Sequence, residues 1–424
     1  MGHIRNTRSV CPVCLRPLPA QLREEKGEIR LEKTCPEHGA FAVTVWRGLR
    51  DFASWRGNIP QMREDEGLSC PQNCGICDEH KRGSCCVLLE VTRRCNLHCS
   101  FCFAHGDQPQ PSYEELCAAV DAITEKGEVL LQLSGGEPSL RDDLPELIHY
   151  IKGRGVKYVQ LNSNGLRLAE DEDYVKALAE AGLSFVFLQF DGVSEDIYEK
   201  LRGRPLLDIK CRAIDNCGKY GLGVTLVPTV VKGVNHHQIG DIIRFGANRS
   251  PVVRGVHFQP VSYFGRYPDK PEDGARYTLD ELLAALETQA GIKENHILPS
   301  RCDHPSCGFH GSFVALGGGE LMPLSSRGGV SACTATTAQR NREYIGSRWQ
   351  RSTEAEASSG SGDIMDMDEF VRRVKSHGFT VTAMAFQDAM NFDIERLRHC
   401  SLHVYTEGRL KPFCAAYLTG MEAE

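Results

Sequence analysis

Nineteen cysteines in a chain of 424 residues, and the way they are grouped, constrain this protein more than any other feature. Cys11 and Cys14, then Cys70, Cys74 and Cys77, then Cys95, Cys99 and Cys102 form tight groups. In a short secreted chain such groups read as a disulfide framework. In a long chain without an apolar leader they read as metal ligands. The first residues, Met1 to Asn6, lack the apolar core of a signal peptide, so a cytoplasmic location is expected. The odd total also argues against a closed set of disulfides, and so many thiolates suit iron–sulfur clusters or zinc. A net charge of -7 offers no basic footprint for nucleic acid. No run approaches the roughly 18 consecutive apolar residues that a membrane span needs.

Composition divides the chain into four stretches. Residues 1–60 form a metal-binding module, 61–86 a cysteine-dense auxiliary segment, 87–292 a core, and 293–424 a region that returns to cysteines and glycine runs. The core carries six short, nearly continuous apolar runs at 87–91, 129–133, 158–161, 185–190, 224–227 and 255–258. Runs of that kind are strands buried on both faces. Amphipathic helices lie between them: Ser112 and Glu115 form a capping box ahead of a Leu116, Val120, Ile123 stripe. Leu144, Leu147, Ile148 and Ile151 make a second stripe. Alternating strands and helices imply right-handed parallel βαβ units. The expected fold is α/β, a partial (β/α)6 barrel with an N-terminal metal module and a C-terminal auxiliary region. Arg340 to Gly362, rich in Ser, Glu and Gly, reads as a flexible loop.

The chemistry concentrates after the first strand, in Cys95-Asn-Leu-His-Cys99-Ser-Phe-Cys102. Three thiolates in one loop can hold three corners of a [4Fe–4S] cluster, which takes four ligands, and so leave one iron open to a chelating ligand. A zinc knuckle completed by His98 or His105 is the alternative. Gly135-Gly136-Glu137-Pro138 follows the second strand. Two glycines let a ligand approach the backbone, and Glu137 can accept from an ammonium group. Active sites of parallel β/α folds gather at the C-terminal ends of strands, so both features are expected on one face.

Further cysteines point to accessory sites. Cys11, Cys14, Cys35 and His38 form a two-plus-two pattern for a tetrahedral ion, zinc or a rubredoxin-like iron. Cys70, Cys74 and Cys77 make a second triad, closed by Cys85 or Cys86, for an auxiliary cluster or a structural zinc. Cys302, Cys307, Cys400 and Cys414 could gather a third cluster. Cys117, Cys211 and Cys217 lie in helical patterns and are expected to pack. Cys333 has no assignment.

The cysteine triad after strand one, with Gly-Gly-Glu-Pro after strand two, resembles the radical S-adenosylmethionine (SAM) superfamily across about residues 85–270. The resemblance implies that Cys95, Cys99 and Cys102 ligate the cluster. It implies that Gly135, Gly136 and Glu137 contact the methionine end of SAM. Asn162, Gln189 and Asp191, at the ends of strands three and four, become candidates for ribose contacts, with turn capping as the alternative. Val227–Val231 would lie near the adenine. The whole layout is similar to the group holding archaeal tetraether synthase and pterin-methyltransferase-like proteins, and in length to the bacterial TrsS family of radical SAM (seleno)proteins. That likeness implies one or two auxiliary [4Fe–4S] clusters, a mononuclear zinc or iron, and Cys85 as fourth ligand of the second set. It also implies a flavodoxin- or ferredoxin-like electron donor, and attack on an unactivated carbon ending in carbon–carbon coupling or methyl transfer. The substrate, a lipid or a small molecule, stays open. A radical SAM peptide maturase and a non-enzymatic multi-metal electron carrier or binding module are the competing readings.

Overall fold

The protein is described by a computed structural model covering residues 2–421 except 58, 60–61, 64, 73, 104–108, 270, 325–337 and 352–366. His105 and Cys333 lie outside the described residues.

The first four strands, β1 (Gly2–Val10), β2 (Pro17–Glu25), β3 (Glu28–Cys35) and β4 (Gly39–Trp46), form an antiparallel meander in chain order. Strand alternation explains its core: Ile29 and Leu31 of β3 point inward, while Arg30 and Glu32 do not. This ribbon is docked on a distant segment. Arg5 pairs with Asp393 and, at 2.7 Å, with Glu395; Thr7 Oγ1 donates to Asp393 at 2.6 Å. Lys33 Nζ donates to the carbonyls of Ala389 and Met390 at 2.7 and 2.8 Å. The N-terminal module therefore sits on the C-terminal region.

The six expected strands are present as β5 (Cys86–Thr92), β6 (Leu130–Gly135), β7 (Tyr158–Ser163), β8 (Phe185–Gln189), β9 (Gly223–Val227) and, after the short β10 (Thr229–Val230), β11 (Val253–Pro260). Five more follow: β12 (Leu298–Pro299), β13 (Gly308–Gly317), β14 (Glu320–Pro323), β15 (Gly378–Met384) and β16 (Leu402–Thr406), with β17 (Arg409–Pro412) closing the chain's strands. The main sheet runs β12-β13-β15-β11-β9-β8-β7-β6-β5-β16-β17. From β16 through to β15 every neighbouring pair is parallel. The partial barrel of six strands is thus widened by β15 on one edge and β16 on the other. Both come from the region expected to be only a cluster-bearing appendage. The antiparallel β13 and β17 cover the two edges.

The helices follow the sequence closely where the apolar stripe is strong. In Tyr113–Thr124 the capping box is formed in both directions, and Leu116, Val120 and Ile123 are buried. Leu144–Gly153 buries Leu144, Leu147, Ile148 and Ile151. The flexible loop expected from Arg340 is corrected: Ala338–Trp349 is a helix. It lies across the N-terminal ends of the barrel strands, where Trp349 packs on Phe185 and Phe187 with ring centroids 5.6 and 4.7 Å away. Gly346 is required there, since a Cβ would come within 2.4 Å of the Tyr158 ring. The rest of that stretch, 352–362, lies outside the described residues.

Arg254 of β11 fastens this helix. It is fully buried and donates to the Arg348 carbonyl at 3.0 Å, to the Lys375 carbonyl at 3.3 Å and to the Ser376 carbonyl. These carbonyls end the helices Ala338–Trp349 and Met367–Ser376, where acceptors lack intrahelical partners and a cation is favoured. Among the described residues, no helix is long and apolar enough to cross a membrane.

Candidate functional site

The cysteine triad leaves the end of β5 and is held by the residues that follow β6. Gly136 N donates to the Thr92 carbonyl at 2.9 Å, and Glu137 N to the Arg94 carbonyl at 2.8 Å. A Cβ on Gly135, where φ is +124°, would come within 2.1 Å of the Thr92 oxygen; one on Gly136 would come within 2.1 Å of the Arg94 oxygen. The two glycines therefore make room for the backbone of the triad loop.

Glu137 is likewise engaged from within. Its Oε1 accepts from Ser139 N (3.1 Å), Ser139 Oγ (2.6 Å) and Ser163 Oγ (2.7 Å), and its Oε2 accepts from Asn164 N (2.6 Å). The carboxylate ties the end of β6 to the end of β7. It keeps one Oε2 lone pair free for a further donor. Asn164 Nδ2 in turn donates to Asn96 Oδ1 at 2.8 Å, which anchors the triad loop to β7. At the far end of the loop, Cys102 exchanges backbone hydrogen bonds with Arg266 at 2.9 and 2.7 Å. Loss of solvent pushes the Cys95 thiol up to about 11, and Glu137, Cys99 and Cys102 add to the effect. The three thiols and the carboxylate therefore share one small volume.

That volume opens into a cavity of about 700 Å³, lined by Cys95, Cys99, Cys102, Gly135, Gly136, Glu137, Asn162 and Gln189. This size lies within the usual range for small-molecule sites. Asp191 is not on its surface. The carboxylate is fully buried, receives Arg202 through two bonds of 2.7 Å and accepts from Thr229 N at 3.1 Å. Its expected ribose contact is corrected accordingly. Arg202, which sequence reasoning missed, lines the cavity instead. Its only signal was an arginine one helix beyond a strand-end acid. Of residues 227–231, Val227 and Thr229 reach the cavity. His98 is exposed and stands outside the cavity lining.

The ribbon site is different in kind. The ligand atoms of Cys11, Cys14, Cys35 and His38 all lie within 4.8 Å of one another, the only such group among the described residues. Cys35 Sγ and Cys11 Sγ are 3.4 and 3.7 Å from His38 Nδ1, and Cys14 Sγ is 4.0 Å from Cys35 Sγ. A tetrahedral zinc with ordinary bond lengths would set edges of about 3.6 Å between S and N and about 3.8 Å between sulfurs. The four residues fit the ion.

The remaining thiols are regrouped relative to the sequence reading. Cys70 and Cys74 share an apolar cluster with Cys414. The Cys74 thiol is raised first by its hydrogen bond with Cys70, then by burial and by Cys77 and Cys400 nearby. Cys85 stands apart from that set, on the cavity wall with Cys86, Cys302 and Asp303. Burial raises Cys302, and Asp303 and Cys85 raise it further. Cys302 lines the large cavity, whereas Cys307, Cys400 and Cys414 line a separate small space.

Comparison with known proteins places these features. Residues 89–246 match the Radical SAM superfamily, and residues 3–47 match the HMPTM N-terminal zinc ribbon domain. The chain is 33% identical to the 7,8-dihydro-6-hydroxymethylpterin dimethyltransferase of Methanocaldococcus jannaschii, across 97% of this chain and 92% of that protein. It is 36% identical to the Fe-coproporphyrin III synthase of Methanosarcina barkeri, across 42% of this chain and 45% of that one. Among solved structures, SuiB of Streptococcus suis bound to S-adenosylmethionine aligns over 48% of this chain and 46% of its own, with 17% identity and a TM-score of 0.41. On the near-full-length likeness to the dimethyltransferase, the chain belongs to the radical SAM superfamily and is an enzyme of its transferase type.

Proposed function

We propose that this enzyme transfers methyl groups to a pterin-type small molecule, in a reaction started by a radical generated from S-adenosylmethionine. One observation carries the reading: the likeness to the pterin dimethyltransferase runs through ribbon, barrel and C-terminal region alike. When bound, a [4Fe–4S] cluster and SAM supply a carbon radical at the cavity's upper end. Cys95, Cys99 and Cys102 hold that cluster. The backbone at Gly135 and Gly136 shapes the seat of SAM, and Asn162 and Gln189 face its ribose side. Phe101, Phe103, Phe264 and Phe413 line the same end and keep water from the reacting groups.

Cys11, Cys14, Cys35 and His38 hold a zinc that stabilises the ribbon. Cys70, Cys74 and Cys77 are closed by Cys400 into one auxiliary iron–sulfur set, supported by the effect of Cys70, Cys77 and Cys400 on the Cys74 thiol. Cys85, Cys86 and Cys302 form a second thiol group beside Asp303, supported by their shared place on the cavity wall. A flavodoxin- or ferredoxin-like donor provides the electron.

The test is anaerobic turnover of the reconstituted chain with SAM, a reductant and 7,8-dihydro-6-hydroxymethylpterin, followed by mass spectrometry. Methylated pterin is the expected product. Formation of 5′-deoxyadenosine with no methylated pterin at any enzyme concentration would overturn the substrate while sparing the enzyme class.

A further inference from the structure

The cavity continues below the strand ends, into the barrel. Gln189 and Gln259 stand at the ends of β8 and β11. Phe187 and His257 precede them by two residues, so all four side chains face the cavity. Two residues along a strand advance about 7 Å. Phe187 and His257 thus sit one layer beneath the positions assigned to the ribose side of SAM. Their ring centroids are 5.5 Å apart, and Trp349 closes the corner at 4.7 Å from Phe187 and 6.4 Å from His257. Thr380 and Thr382 of β15 complete it, with Thr382 the register partner of His257.

The polar side-chain groups of this corner satisfy one another, save one. Trp349 Nε1 donates to Thr380 Oγ1 at 3.0 Å, and that hydroxyl donates to the Arg254 carbonyl at 3.4 Å. Thr382 Oγ1 donates to the Val256 carbonyl at 3.4 Å and lies 2.8 Å from His257 Nδ1. A hydroxyl has a single hydrogen. With that hydrogen given to the carbonyl, Nδ1 is the donor in the shorter contact. Burial holds His257 at about 4, so the ring is uncharged at neutral pH and carries no second proton. Nε2 is therefore a bare acceptor. It has no hydrogen-bond partner among the described residues, and it is not sealed from open space as Gln160 Oε1 and Thr225 Oγ1 are. A fixed acceptor between aromatic walls suits a donor carried on a flat ring. The five side chains of the corner include no carboxylate, so an uncharged N–H fits it better than an ammonium group.

We propose that this corner receives a flat, uncharged heterocycle of the substrate, with His257 Nε2 accepting a hydrogen bond from a ring N–H or amino group and Phe187 and Trp349 bounding the ring. Calling that heterocycle a pterin rests on the function proposed above; the match of donor to acceptor does not. His257 is then the residue that separates such a ring from one of the same shape without an N–H.

The test is equilibrium binding to the full, anaerobically reconstituted chain loaded with SAM. The probes are 7,8-dihydro-6-hydroxymethylpterin, hypoxanthine, which carries ring N–H groups on a two-ring frame, and quinazoline, a two-ring frame with none. His257→Asn keeps a donor for Thr382 but falls short of the Nε2 position, whereas His257→Gln brings an amide near it. The pterin is expected to bind at least about fivefold more weakly to His257→Asn, with part of the loss recovered in His257→Gln. Quinazoline should not distinguish the three proteins. An unchanged pterin affinity, or an equal loss for quinazoline, overturns the proposal. If the pterin does not bind the wild type, the substrate reading fails on its own. Hypoxanthine binding weakened in His257→Asn would then still support the corner, and hypoxanthine binding that is absent or indifferent to the variant would end it. Iron content and melting temperature report whether the variants fold. Should they not, nitrogen NMR of the wild type labelled in its histidines decides: an unprotonated ring nitrogen must shift when the pterin or hypoxanthine is added, and a spectrum unchanged at saturation overturns the proposal.

Discussion

The ribbon and the barrel both present cysteines in short loops, yet they solve opposite problems. In the ribbon, four donors lie within 4.8 Å of one another, and no room is left for anything but an ion. In the barrel, three thiols stand at the rim of a 700 Å³ cavity, and their loop is fixed by backbone contacts from β6 and β7. A closed donor set contributes folding energy, whereas an incomplete one beside a cavity leaves a coordination position for chemistry. The number of cysteines matters less than whether the fold supplies the fourth ligand.

The sharpest way to break that contrast is to replace Cys95, Cys99 and Cys102 together with alanine. SAM cleavage should be abolished while the ribbon keeps its zinc, read by product analysis and metal quantification on one sample. Residual turnover would remove the distinction. The converse change, Cys11→Ser with Cys35→Ser, should release one zinc per chain and lower the melting temperature. The perturbation of the cluster spectrum by SAM should persist. Loss of that perturbation would mean the ribbon reaches into the catalytic end.

A third variant probes the scaffold. Gly136→Ala places a methyl 2.1 Å from the Arg94 carbonyl and must displace the triad loop. A cost on the order of 3 kcal/mol is expected from such overpacking. Triad iron should be lost preferentially, with zinc unchanged, as metal analysis would show. Acid should act on the barrel next. His257 and His310 fall from the ordinary 6.5 to about 4 because burial favours the neutral ring. Their contribution is complete above pH 6.5 and is lost as pH falls through the folded value. It amounts to at most about 3 kcal/mol each. Denaturant midpoints measured between pH 7 and 5 should decline less steeply in His257→Gln and His310→Gln. The smallest effect belongs to a helix cap far from either site. Ser112→Ala should cost about 1 kcal/mol and leave SAM cleavage as it is. A larger loss would tie that helix to the active end.

How much of this was readable from the sequence depended on how local the determinant is. The Ser112–Glu115 cap and the stripes at Leu116 and Leu144 are set within one helix, and the six core strands are bounded by their own apolar runs. The barrel strands β15 and β16 escaped because their partners are β11 and β5, more than a hundred and more than three hundred positions away. The helix Ala338–Trp349 escaped because so few apolar residues, chiefly Tyr344, Ile345 and Trp349, fasten it to the barrel. At the site, motif and order were enough to place the triad and the glycines beside one another on the cavity. The partner of Asp191 could not be read that way, since a strand-end acid looks alike whether it meets a ligand or an arginine. The thiols regrouped for the same reason: Cys85 is near the Cys70 set in sequence, but its wall is shared with Cys302.

Arg254 bears on how anything enters. A single guanidinium bolts two helices under the barrel, and swinging the helix Ala338–Trp349 downward like a trapdoor would strip that buried cation of its acceptors at once. Any movement of that floor has to carry both helices and Arg254 together.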